Sequence, residues 1–149
     1  MQHNLLPKLL KKTSLFLEIT GLVVAFDQFL KYKIHHNGGF YLCNGGISFG
    51  ITLFGVFFWP ILALFLLIIL FYCVFLYKKR DLLYIELISL ALLLGGTLSN
   101  LLDRFLFGCV LDYIDFLKPF PVFNLADVSI FSGSCLIVLF LLSKNKSGG

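Results

Sequence analysis

The chain has 149 residues and a net charge of +4; it is 59% hydrophobic, 13% charged and contains 18 Phe. A soluble domain of this length keeps too much surface in water to hide that much apolar side chain, so the composition excludes a soluble globule and points to a membrane protein. The positive balance does not indicate a nucleic-acid partner, because eight of the twelve basic residues flank apolar runs: Lys8, Lys11 and Lys12; Lys78, Lys79 and Arg80; Lys144 and Lys146. An even number of spans puts these three groups on one side and leaves Lys31, Lys33, Arg104 and Lys118 on the other. That asymmetry predicts that both termini are cytoplasmic.

The first apolar run, residues 15–30, follows basic residues as a signal peptide would. No small-x-small cleavage site follows it and Glu18 interrupts it, so it is expected to be a retained span. Asp27 and Lys31 lie near its outer end, and their i, i+4 spacing puts them on one face, where they can pair. Asp27 follows Leu22-Val23-Val24-Ala25-Phe26 at the hydrocarbon edge. Ionisable groups at that depth usually face the bundle interior and mark function. Glu18, and Glu86 of the third span, are expected to reach the cytoplasmic interface by snorkelling.

Residues 32–51 form the first outer segment, rich in Gly and aromatics. Asn37-Gly38 is a turn signal and its flanks suit short strands, so a small β-element is expected here. The adjacent His35 and His36 point in different directions on any regular element and make a poor metal pair. Residues 53–77 contain no charge and are long enough to cross with some tilt, with Trp59 and Tyr77 placed for the two interfaces. After a short basic turn, residues 82–102 make a third span. Gly95 and Ser99 form a small-xxx-small pair with Gly96 beside it, which lets another backbone come close. That span ends in Asn100, Asp103 and Arg104, with Asn100 and Asp103 on one face.

The second outer segment, residues 105–124, contains Pro119 and Pro121 and is too polar to span. Asn124 or Asp127 caps the fourth span, residues 126–142. The fold expected is a membrane all-α protein of one domain, with four transmembrane helices and a small extracytoplasmic β-rich element. Of the four cysteines, Cys73 and Cys135 lie in spans and Cys43 and Cys109 in the outer segments, with no CxxC or zinc spacing. Free thiols are the expected state, with a Cys43–Cys109 pair the alternative.

Four of the six aspartates, Asp103, Asp112, Asp115 and Asp127, fall between residues 95 and 127. Two carboxylates held close share one proton, and such a pair can activate water and protonate a leaving amine. Chemistry alone does not choose among Asp103, Asp112 and Asp115 as the partner in such a pair. No HExxH, P-loop or dinucleotide fingerprint is present. A serine triad needs a well-placed His, and only His3, His35 and His36 exist. The alternative is a small four-helix membrane transporter or proton relay that uses the clustered aspartates. A relay should place some acids at mid-depth, and here they gather at one membrane face.

Five blocks in order carry a resemblance. They are Asp27-Gln28-x-x-Lys31; Asn44-x-Gly46-x-x-Phe49-Gly50; Gly95-Gly96-x-x-x-Asn100-x-x-Asp103-Arg104; Val110-x-Asp112-Tyr113-Ile114; and Phe123-Asn124-x-Ala126-Asp127. Over nearly its whole length the chain resembles the lipoprotein signal peptidases, or signal peptidase II, four-span bacterial membrane aspartyl proteases. The resemblance implies catalysis by Asp112 and Asp127, with Asp27, Lys31, Asn44, Gly46, Asn100, Asp103, Arg104, Asn124 and Ala126 shaping the site and holding substrate. It also implies cleavage of prolipoproteins before a diacylglyceryl-modified cysteine, at the extracytoplasmic face of the bacterial cytoplasmic membrane. The enzyme so implied uses no cofactor or metal, works as a monomer in contact with membrane lipid and has no nucleic-acid partner. The chain departs from the family pattern at Ser48, Thr97 and Ser99, each small for small, and in a short stretch between Phe49 and the second span.

Overall fold

In the structure, a computed structural model, residues 5–45, 84–116 and 118–146 are described. They form three helices, α1 (Leu5–His36), α2 (Tyr84–Phe107) and α3 (Leu125–Lys146). A two-stranded antiparallel sheet, β1 (Leu42–Asn44) and β2 (Val110–Asp112), completes the regular structure. All three helices contain a stretch long and apolar enough to cross a membrane. The expected span at residues 53–77 and the site position Gly46 lie outside the described residues.

The ends of the helices follow from local chemistry. α1 closes with the Asn37 N–H donating to Lys33 O at 3.0 Å and the Gly39 N–H donating to Ile34 O at 2.9 Å, around Gly38 at φ 71°. This is a Schellman cap, which needs a left-handed residue just past the helix. Asn37-Gly38 therefore terminates a helix, where the sequence suggested a turn between strands. α2 runs past the expected boundary at residue 102 and stops at Gly108, whose φ of 74° lets its N–H turn back to Arg104 O at 3.1 Å.

α2 packs against both other helices, and α1 and α3 touch each other little. A Cβ on Gly95 would lie 2.8 Å from Val23 Cβ and 3.0 Å from Thr20 O of α1. A Cβ on Gly96 would run into the Ala126 carbonyl of α3, and one on Gly133 would lie 2.7 Å from Ser89 O of α2. Each glycine thus allows a close helix crossing, the usual solution where lipid supplies no hydrophobic drive between helices. Among the described side chains of α1, Thr20, Asp27 and Lys31 are buried along one face, while Leu22, Phe26 and Phe29 are exposed. That is the reverse of a soluble amphipathic helix and fits a helix whose outer surface meets hydrocarbon.

The sheet pairs Leu42 with Asp112, Cys43 with Leu111 and Asn44 with Val110. Cys43 and Cys109 form a disulfide with Cα atoms 5.5 Å apart, which corrects the expectation of free thiols. The reason is the strand register: it brings Cys43 opposite a residue two positions from Cys109, within bridging reach. Sequence offered this pair only as the alternative, because 66 residues separate the two and nothing local sets their distance. Cys135 is a free, half-buried thiol. Beyond β2, Ile114 pairs with Phe123, with the Ile114 N–H donating to Phe123 O at 2.7 Å. This second pairing returns the chain beside β2 and delivers Asn124 to the start of α3.

Candidate active site

The polar residues converge where the far end of α2 meets the sheet and the first turn of α3. Asn124 is the N-cap of α3: its Oδ1 accepts the Asp127 N–H at 2.9 Å, and Asp127 Oδ2 accepts the Asn124 N–H at 3.2 Å. This reciprocal arrangement is a capping box with Asp in the place usually held by Glu or Gln. The sequence offered Asn124 or Asp127 as the cap, and the structure uses both. The motif leaves Asn124 Nδ2 free to bond outward. It donates to Asp112 Oδ1 at 2.7 Å and to Asn100 Oδ1 at 3.1 Å.

Asp112, at the end of β2, is 3% exposed. Its other oxygen, Oδ2, accepts from Asn44 Nδ2 at 2.9 Å across the sheet. Asp127 is half-buried, and its Oδ1 accepts from Asn100 Nδ2 at 2.8 Å. A chain of amides, Asn124 and Asn100, therefore links the two carboxylates and fixes an oxygen of each. Burial pushes the Asp112 carboxyl up to about 6, the negative charge of Asp127 pushes the same way, and the Asn44 and Asn124 hydrogen bonds and the Lys31 charge oppose them. Desolvation penalises the charged form, and a nearby like charge adds to the penalty.

A second cluster lies against the first. Lys31 Nζ is 2.6 Å from Asp27 Oδ2, 2.7 Å from Asp103 Oδ2 and 3.0 Å from Asn100 Oδ1. The i, i+4 pair expected in α1 forms, but in the fully buried interior, with Asp27 and Asp103 at 0% exposure. Asp103, whose neighbour in sequence is Arg104, makes its ion pair with Lys31 from another helix. Arg104 donates to Asn100 O at 3.1 Å, and its guanidinium lies in the field of Asp127, Asp112 and Asp103. Asp115 is exposed and makes none of the hydrogen bonds or ion pairs described for the network.

Three further residues join the network. Gln28 Nε2 donates to Asp103 Oδ1 at 2.7 Å, and Ser99 Oγ donates to Asp27 Oδ2 at 2.6 Å. The Tyr113 hydroxyl lies 3.3 Å from Asp27 Oδ1, as donor, and 3.3 Å from the Leu125 N–H, as acceptor. Burial, followed by the Asp27 charge, raises the Tyr113 phenol, so it serves as a neutral hydrogen-bonding group. Sequence reading quoted Gln28 and Tyr113 only within motifs and took Ser99 as a small packing residue. The available signal was that each is polar and adjoins, or is one helical turn from, a candidate acid or amide. Among the described residues no buried side-chain nitrogen or oxygen lacks a partner.

The network brings together Asp27, Lys31, Asn44, Asn100, Asp103, Asp112, Asn124 and Asp127, with Arg104 at its edge. Ala126 takes part through its backbone N–H, 3.1 Å from Asp27 Oδ1. Chemically this is a carboxylate pair oriented by amides and backed by a buried ionic cluster, an arrangement suited to acid–base work on water.

Comparison with known proteins agrees with that class. The family model for signal peptidase (SPase) II matches residues 19–143, so the chain belongs to the signal peptidase II family. A lipoprotein signal peptidase of Moorella thermoacetica is 39% identical, covering 85% of this chain and 92% of its own. Another from Syntrophus aciditrophicus is 35% identical, covering 91% of this chain and 97% of its own. A solved bacterial membrane enzyme, determined by the in meso method at 2.3 Å, superposes with a TM-score of 0.76. It is 30% identical, covering 91% of this chain and 92% of that one.

Proposed function

We propose that this chain is a membrane-embedded aspartic endopeptidase. It removes the signal peptide of bacterial prolipoproteins by cutting N-terminal to the diacylglyceryl-modified cysteine, with Asp112 and Asp127 as its catalytic pair. The observation that carries this reading is the amide bridge Asp112–Asn124–Asn100–Asp127, which orients two carboxylates while ammonium contact goes to Asp27 and Asp103. Membership of a peptidase family favours hydrolysis over the transporter or relay alternative.

In this mechanism the ionised member of the pair takes a proton from a water molecule that attacks the scissile carbonyl. The protonated member hydrogen-bonds the carbonyl oxygen and later supplies the proton to the leaving amine. The raised Asp112 carboxyl brings a proton of the pair toward the working pH, where it can be exchanged. Asn44, Asn100 and Asn124 hold the carboxylates rather than exchanging protons. Arg104 belongs to the substrate-facing rim in this reading, and Gly46 is kept as a substrate-binding position on the motif alone.

The architecture proposed has four spans, the remaining one being the uncharged residues 53–77. The basic segments support a cytoplasmic position for both termini. The Cys43–Cys109 bridge supports an extracytoplasmic sheet, because disulfides persist in oxidising compartments. Substrate reaches the pair laterally from the bilayer, its lipid still embedded, and the chain works as a monomer because both aspartates and their supports come from one copy. The test is cleavage of a lipid-modified precursor by purified Asp112→Asn and Asp127→Asn variants in reconstituted membranes. Each should insert normally and lose activity; full cleavage by either sinks the assignment.

A further inference from the structure

The ionic cluster is tied to the dyad through two backbone amides. Asp103 Oδ2, besides holding Lys31, accepts the Leu111 N–H at 3.0 Å. Asp27 Oδ1 accepts the Ala126 N–H at 3.1 Å while its other oxygen holds Lys31. Leu111 is the residue immediately before Asp112, and Ala126 is the residue immediately before Asp127. Each acid of the cluster therefore grips the backbone one position ahead of one member of the pair, and Lys31 joins the two grips. Its third donor goes to Asn100 Oδ1, and Asn100 Nδ2 holds Asp127. An ammonium has three donors, and all three are used here.

We propose that Lys31 is the spacer of the dyad: by clamping Asp27 to Asp103 it sets the separation between the backbone segments that carry Asp112 and Asp127. The inference rests on the dyad reading and deepens it. A brace whose task was only to join α1 to α2 would need the ion pairs alone. Here each acid also holds a backbone amide of a third element, β2 or α3, at the equivalent position in each. Lys31 is 2% exposed with its donors saturated, so it acts through the two acids and not on substrate. Lys31, Asp27 and Asp103 are positioning residues. The titratable and charged groups that face one another across this junction are Asp27 and Lys31 from α1, Asp103 and Arg104 from α2, Asp112 and Tyr113 from β2 and its exit, and Asp127 from α3.

The experiment compares wild type, Lys31→Met and the double variant Lys31→Met/Asp103→Asn. Each is reconstituted in phospholipid vesicles and assayed with a lipid-modified precursor across pH. The double variant removes one charge of each sign, so it supplies a folded protein if the single variant does not accumulate. The expected result is a fall in kcat of about 10²-fold, the scale of a small misplacement of reacting groups. KM should stay within about twofold, as expected when ground-state binding is untouched. The two limbs of the kcat profile should also move together, because carboxylates held less closely couple less strongly. Wild-type limb positions in the folded double variant, or a loss confined to KM, overturns the proposal. Full cleavage by Asp112→Asn or Asp127→Asn instead overturns the dyad itself, so the two failures are distinguishable.

Discussion

The buried acids of this protein fall into two neighbouring groups held in opposite ways. Asp27 and Asp103 share the Lys31 ammonium at 2.6 and 2.7 Å and receive two hydroxyls, a side-chain amide and backbone N–H groups besides. Asp112 and Asp127 are met by the amides of Asn44, Asn100 and Asn124. A carboxylate in direct contact with a cation is held in place by it and serves as structure. A buried carboxylate oriented by neutral donors, with another acid beside it, can gain and lose a proton at moderate pH. One residue type thus supplies both the frame and the reacting groups, and the partners decide which.

The sharpest way to break this comparison is to remove one charge from each group. Asp112→Asn and Asp127→Asn should each lower cleavage by on the order of 10⁴-fold, at a stability cost of only about 1–2 kcal/mol, because each aspartate accepts on both oxygens and the amide keeps one acceptor. Lys31→Met attacks the frame and leaves two buried acids without their cation. It should cost about 3–5 kcal/mol of stability, read by thermal unfolding of the detergent-solubilised protein. If the dyad variants unfold and the Lys31 variant does not, the two groups have been assigned the wrong way round.

A smaller effect is expected where the groups meet. Asn124 caps α3 and also joins Asp112 to Asn100, so Asn124→Ala should lose about 1 kcal/mol as a cap. It should lose about 10²-fold in kcat as well, because Asp112 is then free to turn. A substitution with the stability loss alone would make Asn124 a cap and nothing more. Gly96→Ala probes the same junction through packing. Its new methyl would press on the Ala126 carbonyl and displace the turn that carries Asp127, costing about 1–3 kcal/mol and lowering kcat. Gly95→Ala presses instead on Val23 and Thr20 of α1, so its stability cost should be similar and its kcat loss smaller.

What was legible in the sequence was what local spacing can express. The i, i+4 relation of Asp27 and Lys31 and the small residues of α2 are properties of a single helix. The cap residues of α3 lie within four positions of one another. The illegible parts depend on which elements meet. Gly95 and Gly96 read as one small patch, yet they serve two different neighbours, α1 and α3, because adjacent residues on a helix point about 100° apart. Asp103 takes its cation from α1 although Arg104 is adjacent, because neighbours in sequence do not face each other on a helix. The disulfide depended on the register of a strand pair that no local signal announced. Ser99 looked like a spacer for packing, and its hydroxyl turned out to hold Asp27.

The finest comparison concerns pH, and it separates the frame from the reacting pair without moving a backbone. Burial pushes the Asp112 carboxyl up to about 6 in the folded protein, above the ordinary carboxyl value of 3.8. The folded state therefore holds this proton more tightly than the unfolded chain. Its contribution to stability is fully present below the ordinary carboxyl value and is lost as pH rises through about 6. Asp112→Asn has no such proton to lose, so its melting temperature should rise relative to wild type between about pH 4 and pH 6 and hold a constant difference above that. Asn44→Ala removes a hydrogen bond that favours the charged form, so the window should extend to higher pH, and the matching limb of the activity profile should move with it. The effect should be modest, since Asn124 still donates to the other oxygen of Asp112. A limb that stays in place would mean that Asn44 does not set the proton affinity of Asp112, leaving burial and Asp127 to do so.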